Sequence, residues 1–460
     1  MVHDRLDVVK VEFDDERAVG NAGVLVVATL AKRLGLEQLV GESVRLGKPG
    51  ARFRPGRKVM SLVFAMLLGA QSIDGCDLLR SGRTGRLLGV RVMAPSTLGT
   101  FLRAFTFGHV RQLDRVLGLT LAKAWRAGAG PGGDRLVIDV DSFVGEVYGR
   151  LKHGASRGYT HVLGYHPLLA TRADTGEVLH IRFRTGNANT QRGVIRFVDE
   201  LVARVRAAGA TGQILLRADS GFHNKQLRAR LAKKGVVYSI GVRITTRVAA
   251  AISKIADDAW QTLTDYPATG VAQIAETTID GERLIVRRVR PLGNDAQGQL
   301  FNTWQHHALI SNRTDALNLV EAEHRAHAVV ELAIRDVKDQ ALAHFPSGEF
   351  PANAAWTVIA CLAHDLLRWT ELLGLPASTP RRARTHRRQL LELPRSPDPP
   401  RPHDHAAPAR PLALADRIPD RAHTHPSAAS AHLTRPPLAA RPRSPARRPP
   451  APRRQTPAPR

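Results

Sequence analysis

"RLVIDVDSFVGEVYG", residues 135–149, decides the fold. Leu136, Ile138 and Val140 alternate with Val137, Asp139 and Asp141, so a strand here is apolar on one face and carries two carboxylates on the other. A buried carboxylate is costly unless something pairs with it, and a strand end is where such a group reaches solvent or an ion. A second acid stands at another strand exit. In "QILLRADSGF", residues 213–222, an apolar run built on Ile214, Leu215, Leu216 and Ala218 ends at Asp219 and breaks at Ser220-Gly221. Taken alone, Asp219 or Ser220 reads more readily as a cap for the helix that begins near Asn224.

The segments around these two strands set the topology. Residues 164–186 read as two strands joined at Asp174-Thr175-Gly176. Val194, Phe197, Val198, Leu201 and Val205 follow at helical spacing, with Gly209 as the stop. After the Asp219 strand come a short basic helix, "NKQLRARLAKKG", and a β-branched strand, "VVYSIGVRI". The order strand, strand, strand, helix, strand, helix, strand implies an α/β fold with a mixed five-stranded sheet and flanking helices. Strands one and four are neighbours in such a crossover topology, which brings Asp141 and Asp219 within reach of one ion.

Composition limits the function classes. The 460 residues exceed one compact core, so two or three domains are expected. Two cysteines, Cys76 and Cys361, provide neither a disulfide framework nor a thiolate cluster, which fits a reducing, cytoplasmic setting. The first residues lack an apolar signal region and no run of eighteen apolar residues exists, so secretion and a membrane are excluded as expectations. The formal charge is +26, and polyphosphate backbones are the usual partner of such a field. From Pro394 onward the chain holds 18 of its 29 prolines, 13 Arg, 4 Asp and neither Gly nor Lys. That tail reads as a disordered Arg/Pro arm or as out-of-frame translation of a GC-rich gene, the latter preferred because the change after "RRQLLEL" is abrupt. Without it, residues 1–393 still carry +17.

The strings "DVDSF", "GASRGYTHVLGYHPLLATRADTGEVL", "RADSGF" and "HRAHAVVELAIRDVKDQALAHFPSGEFPANAAW" resemble the DDE transposases of the insertion-sequence 1380-type family, over roughly residues 10–393. The resemblance implies a ribonuclease-H-like sheet, Asp141 and Asp219 as the first two acids, and Glu331 as the third. Asp139 is the alternative first acid or a supporting group. The wider cluster carries a Tyr, Arg, Glu, Lys signature; here Glu331 and Lys338 match it, while His324 and His327 replace Tyr and Arg.

These residues lie in "DALNLVEAEHRAHAVVELAIRDVKD", residues 315–339, which reads as one helix with His324, His327, Glu331, Arg335 and Lys338 along one stripe. Alone, Glu331 would be a solvated charge balanced by Arg335, and His324 with His327 a metal pair lacking further ligands. The family framework assigns the stripe to DNA contact and Glu331 to a metal site. It implies two Mg²⁺ ions, with Mn²⁺ as a substitute, roughly 3.5 to 4 Å apart on hard oxygen ligands. It also implies double-stranded DNA as partner, both element ends and target, and a homodimer in the DNA complex, in a nucleoid-associated cytoplasmic protein.

The remaining segments complete the expected plan. Residues 1–130 read as helical, with an N-cap signal at Pro95-Ser96-Thr97 and a cluster of Arg52, Arg54, Arg57 and Lys58 that suits an element end or a merely solvated basic face. Residues 131–243 and 313–393 form the two parts of the catalytic domain, 244–312 a β-rich insertion, and 394–460 the tail. Trp260 and Trp304 in the insertion read as core, with base stacking the lesser alternative. Trp356 and Trp369 read as core in the closing helices. A metal-dependent nuclease on the same fold and a non-catalytic DNA-binding remnant are the competing functions.

Overall fold

The apolar spacing of residues 24–124 yields α1 (Val24–Arg33), α2 (Leu36–Ser43), α3 (Pro55–Leu67), α4 (Pro95–Leu102) and α5 (Phe107–Ala124). The computed structural model describes residues 19–394 except 82, 90, 150, 159, 268–269, 292–303 and 376–381. The tail beyond Pro394 lies outside the described residues. The expected cap at Pro95-Ser96-Thr97 is not one. Ala94 is the N-cap without a side-chain bond, and Pro95 takes the first helical position, where its missing N–H costs nothing. Thr106 and His109 instead cap α5 reciprocally.

Residues 135–149 begin as β1 (Leu136–Ser142), with Leu136, Ile138 and Val140 buried. The hairpin is present as β2 (Leu168–Arg172) and β3 (Val178–Arg182), turning at Gly176 with φ 71°. Helix α6 (Val194–Ala208) stops at left-handed Gly209 and leads to β4 (Ile214–Ala218). Helix α7 (Lys225–Lys233), capped by the Asn224 side chain, leads to β5 (Val237–Val242). Strands β1, β3, β4 and β5 run in one direction and β2 runs opposite to them, in the order β3-β2-β1-β4-β5.

The sheet does not end there. After α8 (Thr246–Ile252), the insertion supplies β6 (Gln261–Thr262), β7 (Gly270–Ile279), β8 (Glu282–Pro291) and β9 (Gln305–Ser311). Strand β9 pairs antiparallel with β5, so five strands become nine in the order β3-β2-β1-β4-β5-β9-β8-β7-β6. The expected five-stranded sheet is thus incomplete, because the open edge of β5 is covered by the insertion itself. Asp280 and Gly281, both at positive φ, make the β7–β8 turn.

The long helix expected over 315–339 is broken. Helix α9 (Leu317–Arg325) passes through a tight turn at Ala326–Ala328 into α10 (Val329–Val337), followed by a widened turn at Lys338–Leu342. The tightened turn carries His327, whose ring is anchored on β1, and that contact accompanies the change of helical phase. The 25-residue α11 (Phe350–Gly374) then runs through the core, with Trp356 and Trp369 fully buried. Both carboxylate oxygens of Glu177 accept indole N–H bonds, from Trp125 at 2.8 Å and Trp369 at 2.7 Å. One hydrophobic core runs from α1 through the sheet to α11. No described helix is long and apolar enough to cross a membrane, and both cysteines are buried and free.

Candidate active site

Asp141 and Asp219 are brought together by strand register. Val140 on β1 is paired with Ala218 on β4, and each acid is the next residue along its parallel chain. A Cβ at Gly241 of β5 would lie 3.0 Å from the Ser220 nitrogen, so glycine lets the turn after Asp219 settle against the sheet. Asp219 caps that turn by accepting from the Gly221 N–H at 3.0 Å. The cap reading of this residue is therefore met locally, while α7 has its own cap in Asn224.

The carboxyl of Asp141 is pushed up to about 6. Burial is the largest cause; Asp219 and Glu331 raise it further, whereas the Ser142 N–H, 2.6 Å away, and His327 oppose the rise. Asp219 at the β4 exit and Glu331 on α10 are therefore near enough to Asp141 on β1 for their charges to bear on it. Hard oxygen donors, one of them raised chiefly by burial and further by its acidic neighbours, suit a divalent cation, which would offset both effects.

Asp139 faces a different task. It is fully buried, and Arg217 on β4 donates to both its oxygens at 2.7 Å. His327 Nδ1 lies 2.7 Å from its Oδ1. Arg217 also reaches the Glu323 carbonyl on α9, so strand, strand and helix meet at this ion pair. Sequence reasoning missed Arg217; the available signal was a charged residue in the fully buried run "ILLRA". His324 sits beside the group, its Nδ1 2.8 Å from the Ser239 hydroxyl and its ring stacked on His327 at 6.3 Å. Burial, then His327, Arg217 and Arg287, push its imidazole down to about 3, so it is neutral at ordinary pH.

Glu331 is exposed on α10. Lys338 Nζ lies over the Phe143 ring at 5.2 Å and donates to the Val144 carbonyl at 3.3 Å, at the end of β1; burial lowers its basicity. Arg335 is half-buried with its Nε unpartnered. The broken helix therefore divides the stripe: His324 points to β5, His327 to β1, and Lys338 to the loop after β1. In the insertion, Trp260 and Trp304 are half-buried rather than core, and the Arg288 guanidinium lies over both rings at 4.1 and 4.7 Å.

Among the described residues, one Asp/His/Glu group has ligand atoms all within 4.8 Å and could coordinate a single metal ion: Asp114, His180 and Glu200. It lies where α5, β3 and α6 meet. Arg204 and Arg111 already pair with Asp114, and Arg111, Arg182 and Arg196 with Glu200. The ions hold both carboxyls well below their usual range despite burial. A cation there would compete with four guanidinium groups, so this cluster acts first as an ion-pair lock between helix and sheet.

A family model described as transposase DDE domain group 1 matches residues 3–393. No curated protein matches the chain. Among solved structures, a cryo-electron microscopy structure of a piggyBac transposase synaptic complex with hairpin DNA is similar at TM-score 0.44 and 14% identity, over 73% of this chain and 70% of that one.

Proposed function

The chain belongs to the transposase DDE domain family, group 1, and from that premise we propose that it is a DNA transposase whose metal-binding acids are Asp141, Asp219 and Glu331. The observation that carries the reading is the β1–β4 register, which puts Asp141 and Asp219 one residue beyond the paired Val140 and Ala218; the Asp141 carboxyl, raised by burial and then by the other two acids, supports it. A perturbed acid with like charges near it on separate rigid elements is a frequent mark of a working site. The reaction is hydrolysis of a phosphodiester at an element end, freeing a 3′ hydroxyl, followed by attack of that hydroxyl on target DNA. Two Mg²⁺ ions, or Mn²⁺, would supply phosphate charge neutralisation and activation of the attacking oxygen.

The protein's own groups do the positioning. Asp141 near the end of β1 and Asp219 at the exit of β4 are set by the register of these parallel strands, while Glu331 is carried in the first turn of α10. Asp139 stays out of this ligand set because Arg217 and His327 occupy it; its work is to hold the His327 ring next to Asp141. Lys338, beside the end of β1, is the cation closest in role to a phosphate contact.

The test supplies labelled DNA carrying element ends with Mg²⁺. Joined products support the transposase reading; cuts without joining mean a nuclease. Retention without products, or cleavage that survives Asp219→Asn, rejects the assignment.

A further inference from the structure

A cleft of about 800 Å³ opens in the N-terminal helical region, between the start of α3 and the segment before α4. Arg54, Arg57, Lys58, Arg80, Arg86 and Arg91 line it, and no acidic side chain is among its described lining residues. Two of these cations are ion-paired, Arg57 with Glu37 at 3.2 Å and Arg80 with Asp77 at 2.5 Å. Arg54, Arg86 and Arg91 are exposed and make no ion pair among the described residues.

The wall of this cleft is specially built. Lys58 is only 2% exposed, and its ammonium donates to the Gly50, Ala51 and Phe53 carbonyls at 2.7, 3.0 and 2.6 Å. Burying an ammonium is costly, and three carbonyls offset that cost by satisfying all its donors. The pinned loop holds Arg54 at φ 48°, ψ 56°, a left-handed conformation that side chains with a Cβ disfavour. It also turns Phe53 outward, 63% exposed, with the Arg54 guanidinium 4.9 Å from its ring centre. A solvated basic face requires neither a buried ammonium nor a strained arginine.

We propose that this cleft grips the sugar–phosphate backbone of duplex DNA, with Arg54, Arg86 and Arg91 meeting phosphates and the Phe53 ring lying against a sugar or base. Unpaired guanidinium groups suit phosphate oxygens by charge and by fork geometry, and an exposed aromatic ring beside them favours nucleic acid over an acidic peptide. The inference rests on the DNA partner of the proposed function but requires none of the acids.

Fluorescence anisotropy with a mixed-sequence duplex, without divalent metal and across a salt series, provides the test. The triple variant Arg54→Ala, Arg86→Ala, Arg91→Ala should bind at least about 10-fold more weakly, with a log–log salt slope shallower by about 2 to 3. Arg54→Gly alone should keep or raise the melting temperature, since glycine adopts positive φ freely, yet flatten the slope by about 1. A triple variant with the wild-type slope overturns the cleft assignment and leaves the DNA partner standing. Displacement of the duplex by polyglutamate at equal charge also overturns it, in favour of an acidic polypeptide. A wild-type chain that binds no duplex at low salt rejects both the cleft and the transposase reading, whereas binding through the cleft without cleavage in Mg²⁺ rejects the catalytic reading alone.

Discussion

Arg217 grips Asp139 through two parallel hydrogen bonds, Nε to one carboxylate oxygen and Nη2 to the other, between directly paired residues of β4 and β1. Both side chains are almost wholly buried. Removing the arginine leaves an uncompensated carboxylate, so Arg217→Met should cost about 3–5 kcal/mol in urea unfolding. The double variant Asp139→Leu, Arg217→Met should regain most of that stability but not DNA cleavage, because His327 loses its anchor. A double variant that cuts normally would remove Asp139 from any positioning role.

The converging acids predict a metal-dependent gain in stability. Mg²⁺ should raise the melting temperature of the wild-type chain by mass action, and Asp219→Asn or Glu331→Gln should respond much less. In chelator, Asp141→Asn should be at least as stable as wild type, because it removes a carboxyl that burial and its neighbours disfavour. Equal Mg²⁺ shifts in all the variants would separate metal binding from these residues and direct attention to Asp114, His180 and Glu200.

The proposed phosphate contact of Lys338, which is braced on the Val144 carbonyl, gives a third test. Lys338→Ala should flatten the salt dependence of end binding by about one counterion. An unchanged slope with lowered stability would make its bond to Val144 the whole of its role.

Glu177 predicts a pH effect of defined sign. Burial pushes its carboxyl up to about 7, against the pull of Arg172 and the two indole donors. The folded state thus holds a proton that the unfolded chain releases near 4.5, and this contribution to stability is lost as pH rises from there through 7. Glu177→Gln should be less stable than wild type at pH 5, having one acceptor for two indole N–H groups. Its deficit should shrink by about 1–3 kcal/mol by pH 8. A deficit independent of pH would show that Glu177 does not titrate in this window.

Much of the sheet was legible because its signals are local. The alternation at 136–142, the turn at Gly176, the helical spacing from Val194 and the stop at Gly209 each act within a few residues. The pairing of Val237–Val242 with Gln305–Ser311 had no such signal, since an edge strand carries no mark of which distant segment will cover it. The break at 326–328 was hidden because apolar spacing continues across it; only the tether from His327 to Asp139, 188 residues away, distinguishes that turn. Asp139 stayed ambiguous for the same reason, its arginine lying 78 residues downstream. The family resemblance proposed the acids, and three-dimensional pairing shows that Asp139 is already occupied by Arg217 and His327.

The seam between β5 and β9 gives the inserted strands a role beyond covering an edge. Four main-chain pairs, from Val242 with Ala308 to Ser239 with Ser311, join the insertion to the same sheet that carries Asp219. A segment hung on a linker can swing independently; one stitched in by register serves as a ruler. Any stretch of DNA resting on the Trp260, Arg288 and Trp304 surface would therefore be measured off from the acids at a set number of strand spacings. Lengthening the β8–β9 connection would leave that distance unchanged, whereas shifting the β5–β9 register by two residues would move the cut.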